Sequence, residues 1–239
     1  MQNSEYISLS LQTALRVQMD VVANNLANMN TTAYKAEHTL FKEYMVKTDD
    51  GEDVSFVQDW GLSRDTTAGK LDTTGNPLDI AINGDGYFVI ESPDGNEYTR
   101  NGHFRVNDTG QLVTSDGSVV LDDSGQPIVF TEFDTNVKIA GDGTISTDAG
   151  VLGRLDVVNF DNQQLLKKAG NSRYTTDQTP FPATAASTIQ GMVEGSNVNP
   201  ILEMTDMIRI SRAYQANANL QSNINDSQRE MLRRIATVI

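Results

Sequence analysis

Two stretches without glycine or proline bracket this chain, Met1 to Asp50 and Ile201 to Ile239, and both carry apolar residues at alternating spacings of three and four. Leu15, Met19, Val22, Leu26 and Met29 make the first stripe, which predicts a helix with one apolar face over residues 4 to 30. Met207, Ile210, Tyr214, Ile224, Met231, Ile235 and Val238 make the second. A helix over all of Ile201 to Ile239 spans roughly 58 Å at 1.5 Å per residue, longer than an ordinary globular helix. Asn217, Gln221 and Gln228 fall on the same seam, where a buried amide costs stability and fixes register or partner. An apolar stripe usually faces a domain's own core. The length of the second stripe, its counterpart at the opposite terminus and its polar interruptions favour helices that pack against other molecules.

Between the two ends the pattern changes. From Gly51 onward turn residues are dense, and residues 33 to 75 read as a partly extended connector containing Gly51, Gly61, Gly69 and Gly75. From residue 76, Asp-Gly and Asn-Gly pairs recur at Gly86, Gly95, Gly102, Gly117 and Gly143 between short β-branched or aromatic segments, the signature of tight hairpins. Residues 76 to 185 are therefore expected to form an antiparallel β-domain. Residues 186 to 200 read as a linker, with Pro200 at the entrance to the C-terminal helix, where its missing N–H costs nothing. The fold class predicted is α+β: terminal helices at 1 to 32 and 201 to 239 forming a coiled-coil-like bundle around which the β-domain is displayed.

Charge divides the chain in the same way. Residues 1 to 48 hold four basic and four acidic groups and residues 201 to 239 hold five and four, whereas residues 49 to 200 hold nine basic and 24 acidic. The acidity sits wholly in the middle, and a surface of that sign disfavours nucleic acid. With no cysteine, the chain has no disulfide framework, thiolate metal site or cysteine nucleophile. No apolar run exceeds the four residues Tyr87 to Ile90, so membrane insertion is not expected, and the N-terminus shows no cleavable signal. The Asp-Gly loops lack the alternating ligands and terminal glutamate of a calcium loop. His38 and His103 lie in different regions with no partner at metal spacing, and no serine sits in a nucleophile elbow. No catalytic residue, cofactor or metal site is assigned, and the chain is not expected to be an enzyme.

One segment, Val21 to Lys35, reads Val-Val-Ala-Asn-Asn-Leu-Ala-Asn-Met-Asn-Thr-Thr-Ala-Tyr-Lys and resembles the N-terminal signature of the bacterial flagellar rod and hook proteins. A second match runs from Gly191 to Asn197, Gly-Met-Val-Glu-Gly-Ser-Asn, and on through Glu203, Met207 and Arg212 to Tyr214. Thr74 to Ile82, Gly84 to Val89, Tyr98 to Gly102 and Gly110 to Thr114 are similar to the family's β-domain, so the likeness spans nearly the whole chain. Length and the opening Ala14 to Asp20 place it nearest the proximal-rod members, with distal-rod members or another axial paralogue as the alternative. One departure is Ala33, where the family has glycine.

The resemblance implies a structural subunit of the basal-body rod, exported by the flagellar type III apparatus without a cleaved signal and polymerised in the periplasm. Its partners would be other rod subunits, self and paralogues, together with the export apparatus and the basal-body rings. The assembly surface would take in Asn24, Asn25 and Asn28 of the signature together with the two stripes, and the isolated monomer would leave both ends largely unpaired. A different class of function remains as an alternative: a glycan- or cation-binding β-module.

Overall fold

The computed structural model describes residues 2–47, 53–93 and 95–236; side-chain surroundings are not described for 2–5, 46, 47, 53, 54, 59, 60, 231, 232 and 234–236. The chain divides into two compact units. A helical unit contains Met1–Ala27, Glu37–Asp65 and Asn199–Ile239, and a β unit contains Asn28–Ala36 and Thr66–Val198.

In the helical unit, α1 runs Gln2–Ala27 and α2 runs Pro200–Ala236. Asn199 caps α2: its side-chain oxygen accepts from the amides of Ile201 at 3.1 Å and Leu202 at 3.4 Å, and Pro200 fills the first helical position. The least exposed positions of α2 follow the predicted seam. Ile210 and Asn217 are buried, while Met207, Tyr214, Gln221, Ile224 and Gln228 are half-buried. On α1, Ala14 and Val22 are buried and Leu15, Met19 and Leu26 half-buried. The helices run antiparallel, since Ser8 meets Asn217 and Asn25 meets Glu203.

These seams meet each other within one chain, which corrects the expected coiled-coil-like bundle. Among the described residues there are only two α-helices, one near each end, in a mainly antiparallel β protein, and no long coiled-coil bundle is formed. The ends are also not left unpaired. A heptad stripe states that one face is covered and not by what, and here a single helix and a β-hairpin cover it. That hairpin lies in the segment read as a connector: β1, Glu37–Lys47, pairs with β2, Asp53–Arg64, in unbroken antiparallel register except for a bulge at Leu40 and Phe41. Gly61, beside the extra residue that β2 carries at the bulge, has φ +127°, a conformation that glycine alone adopts freely.

The β unit is built around β3 (Leu71–Thr73), β4 (Ile80–Asn83), β5 (Tyr87–Ser92) and β6 (Gly95–Thr99), with a nine-stranded antiparallel sheet as its largest element. The side chains of β5 alternate between two cores. Phe88 and Ile90 join Ile80, Phe104, Leu112 and Ile145, while Tyr87 and Val89 join Tyr98, Phe160 and Tyr174. A strand buried on both faces explains why Tyr87 to Ile90 is the longest apolar run in the chain. One expected hairpin glycine serves another purpose. A Cβ at Gly102 would fall on the Ile80 carbonyl oxygen, so this residue permits backbone contact and not a positive-φ turn.

The segment read as a linker carries two strands, Ser187–Gln190 on β4 and Met192–Glu194 on β3. Gly191, at φ +75°, makes the bend between them.

Candidate functional site

The signature segments fold into two polar clasps, one in each unit. In the helical unit the Asn25 side chain reads the backbone of Glu37 in both directions: its amide donates to the Glu37 carbonyl at 2.8 Å and its oxygen accepts the Glu37 N–H at 3.1 Å. The same amide nitrogen reaches Glu203 Oε1 at 3.3 Å. Asn25 is thus a fully enclosed peptide mimic that fastens the start of β1 to α1 and α2. Further along, Asn217 Nδ2 donates to the Ser8 carbonyl at 2.8 Å while Ser8 Oγ donates to Asn217 Oδ1 at 2.7 Å. That pair fixes the register of α1 on α2.

The clasp of the β unit centres on Glu194, whose side chain is wholly buried. Its Oε1 accepts from Lys35 Nζ at 2.7 Å and from the Gly69 amide at 2.8 Å, and its Oε2 accepts from Arg100 Nε at 2.6 Å. Lys35 Nζ also donates to the Thr67 carbonyl at 2.6 Å, and Arg100 Nη1 donates to the Gly86 carbonyl at 2.8 Å. The Glu194 carbonyl accepts from the Ala33 amide at 2.7 Å. Three residues on, Asn197 Oδ1 accepts from the Ala36 amide at 2.8 Å and its Nδ2 donates to the Thr67 carbonyl at 3.1 Å.

Burial works to raise the pKa of Glu194, but the charges of Arg100 and Lys35, with the hydrogen bonds from Lys35 and Gly69, prevail and hold it below the ordinary carboxylate value. The group is an anion locked between two cations.

This arrangement has a topological meaning. The chain passes from one unit to the other after Ala27, Ala36, Asp65 and Val198. Inside the β unit, Glu194 and Asn197 gather the segments 33–36, 67–69 and 194–198 that lead to those passages. Ala33 bends the first of them in the left-handed region, at φ 57°, with no exposure. A Cβ-bearing residue thus takes the left-handed path here, with the strain that conformation brings.

The structure distributes the predicted site residues unevenly. Asn25 and Asn217 become clasp residues. Leu15, Met19, Val22, Leu26, Met207, Ile210, Tyr214, Gln221, Ile224 and Gln228 line the less exposed faces of α1 and α2. Asn24 and Met29 are exposed, and Asn28 turns the chain after α1, its carbonyl and side-chain oxygens both accepting from Thr31. Met231 and Ile235 lie on α2 without described side chains, and Val238 lies outside the described residues. Sequence reasoning gave no role to Lys35, Arg100, Glu194 or Asn197, although all four stand in the motifs that carried the resemblance. Lys35, Arg100 and Glu194 are the single charged residues of their motifs, and that was the available signal.

A hollow of about 370 Å³ in the β unit is lined in part by Asp123, Asp142, Arg154 and Asp156. Burial, with Asp123 nearby, raises the Asp156 pKa. No trio of His, Asp or Glu suited to a metal is gathered among the described residues. His103 pairs through Nδ1 with buried Asp79 at 2.7 Å. No described helix is long and apolar enough to cross a membrane.

Known proteins match this architecture piece by piece. A flagella basal body rod protein model matches residues 6–35, the D1 domain model of the flagellar hook protein FlgE/F/G matches residues 81–147, and the flagellar basal body rod FlgEFG protein C-terminal model matches residues 189–236. Both terminal segments and the β unit thereby define an axial protein of the flagellar rod and hook class. Flagellar basal-body rod protein FlgF of Caulobacter vibrioides is 38% identical over 244 residues, covering 100% of both chains. FlgF of Mesorhizobium japonicum is 36% identical with 99% of each chain covered, and FlgG of Bacillus subtilis is 31% identical over 97% of this chain and 98% of its own. The chain belongs to the flagellar basal-body rod protein family and is FlgF-like, a structural subunit of the rod; the FlgG alternative has less support.

Proposed function

We propose that this rod subunit polymerises with copies of itself and with other rod subunits through apolar bands at the two ends of its helix pair, in the proximal part of the rod. The supporting observation is where large apolar side chains remain exposed. Tyr6, Ile7, Leu9 and Leu11 crowd the start of α1, and Ile201, Leu202, Met204 and Ile208 crowd the start of α2. Because the helices are antiparallel, these bands fall at opposite ends of the pair. Two different apolar surfaces at opposite ends favour head-to-tail contacts, which build filaments where a self-complementary patch would close a dimer. The internal seam then serves to hold α1 on α2, and the clasps hold each unit's chain passages in place while torque is applied.

Export through the flagellar type III apparatus without a cleaved signal, a periplasmic location and contacts with the basal-body rings complete the proposal. A cysteine-free sequence suits passage through an oxidising compartment. The test is Leu9→Glu and Ile208→Glu, made separately. Each should abolish rod assembly and swimming while leaving thermal unfolding of the purified chain within about 0.5 kcal/mol of the parent, the ordinary range for a surface substitution. Normal swimming by both variants would overturn the proposal.

A further inference from the structure

With no cysteine, this chain holds all of its sulfur in eight methionines. Their thioethers are soft and open to oxidation, and attack follows exposure. Among the six whose side-chain surroundings are described, the fold draws a division. Met19, Met192 and Met207 are half-buried, whereas Met29, Met45 and Met204 are 38%, 59% and 47% exposed.

Two of the six stand three residues apart on α2 and have opposite surroundings. Met207 belongs to the half-buried seam that continues through Ile210, Tyr214 and Asn217. Met204 lies on the outward face. Ile201 precedes it by three residues and Ile208 follows by four, spacings that bring side chains together on a helix, and these two are 71% and 55% exposed. The adjoining charges are already engaged: Arg209 pairs with Asp206 at 2.7 Å, and Glu203 is buried beside Asn25. Met204 is thus the one oxidisable side chain in the apolar band at the start of α2.

A hydroperoxide is a sufficient oxidant. The sulfur lone pair attacks one peroxide oxygen, the S–O bond forms as the O–O bond breaks, and sulfur gives up two electrons. The other oxygen takes the proton of the transferred one and leaves, as water when the oxidant is hydrogen peroxide. The product is a sulfoxide, a polar hydrogen-bond acceptor where an apolar side chain stood. In the free chain, solvent satisfies that oxygen and the fold is spared. Inside an apolar contact it must be desolvated, and the side chains of Ile201, Leu202 and Ile208 offer it no donor.

We propose that Met204 is an oxidation site that decides whether this subunit assembles: the thioether packs into the contact between subunits, and the sulfoxide is kept out of it. Methionine sulfoxide reduction reverses the change, so the site acts as a switch. The inference rests on the apolar-band reading of rod assembly and adds a chemical control to it.

The test has two parts. Purified full-length chain is treated with dilute hydrogen peroxide and mapped by peptide mass spectrometry; Met204 and Met45 should gain oxygen before Met207 and Met192. The parent chain is then co-expressed in the parent organism with Met204→Gln, which puts a polar group in place of the thioether, or with Met204→Leu. The ratio of the two chains in isolated basal bodies is compared with their ratio in the cell. Met204→Gln should be depleted at least about fivefold, the penalty for burying one unsatisfied polar group, while its thermal unfolding as purified protein matches the parent's. Met204→Leu should enter on equal terms. Oxidation of Met207 ahead of Met204, or equal depletion of the leucine variant, would overturn the proposal. Entry of Met204→Gln at parity while Ile208→Glu still abolishes swimming would sink the oxidation switch alone and leave the apolar-band reading standing. Absence of the parent chain from basal bodies would remove the rod reading itself.

Discussion

Replacing Glu194 with glutamine removes the single anion that joins Lys35 and Arg100, at 2.7 and 2.6 Å, and leaves two buried cations facing each other. Side-chain shape is kept, so the loss is electrostatic. A pair of unit charges 4 Å apart interacts by about 4 kcal/mol at an effective dielectric of about 20, and the substitution forfeits two attractions while the repulsion between the cations persists. Breaking a buried ion pair from one side costs about 3–5 kcal/mol. For a domain of this size each kcal/mol lowers Tm by about 2–4 °C, so Glu194→Gln should lower it by roughly 6–20 °C.

The ordering of variants is a sharper test. Lys35→Met leaves Glu194 paired with Arg100 and no net charge among the three groups. It should cost less than Glu194→Gln, because the Glu194 charge keeps a partner and no buried charge is left uncompensated. Acid should narrow the gap between Glu194→Gln and the parent. The folded-state pKa of Glu194 lies below its ordinary value of 4.5, so its contribution is complete above about pH 4.5 and is lost as pH falls through the folded value. Thermal unfolding followed by tyrosine near-UV circular dichroism reports on the β unit through Tyr34, Tyr87, Tyr98 and Tyr174. A Tm drop under about 3 °C, or an equal cost for Lys35→Met, would refute the reasoning.

Ala33→Gly should be nearly neutral, within about 1 kcal/mol, since relief of about 1–2 kcal/mol of left-handed strain is offset by glycine's flexibility and a lost buried methyl. Ala33→Val, at φ 57° with no exposure, should cost at least about 3 kcal/mol by urea unfolding; a milder loss would show that this backbone can relax. Asn217→Ala should destabilise the helix pair by about 1–3 kcal/mol through the stranded Ser8 groups, read as faster amide exchange along α1. Asn25→Leu should expose the Glu37 amide to exchange at least tenfold faster, because both of its backbone groups lose their partner; unchanged exchange there would remove Asn25 from the clasp.

What was legible in the sequence was whatever repeats at short range. The three-four spacing from Met207 to Gln228 returns as the less exposed face of α2, and the turn glycines punctuate a β unit as expected. The cover of that face was not legible, because a stripe carries no record of its partner, and the coiled-coil-like bundle was read into it. The hairpin of β1 and β2 escaped notice because Phe41, Tyr44 and Met45 are all exposed, so the strand lacks the apolar-polar alternation that marks a half-buried one. The Glu194 clasp was hidden for a different reason: its partners lie 159 and 94 residues away, beyond any local pattern. Its members were in view as signature residues, and only the fold shows why a lysine, an arginine and a glutamate belong there.

Whether the exposed ends of the helix pair are covered by neighbouring subunits can be measured directly. Leu9→Cys and Ile208→Cys, made singly in this cysteine-free chain, are labelled with a maleimide as purified protein and again in intact basal bodies. Both positions should react freely in the purified chain, where Leu9 is 53% and Ile208 is 55% exposed, and should be protected at least tenfold in basal bodies. Equal labelling in the two states would mean that the apolar bands stay open in the assembled rod, and assembly through them would be excluded.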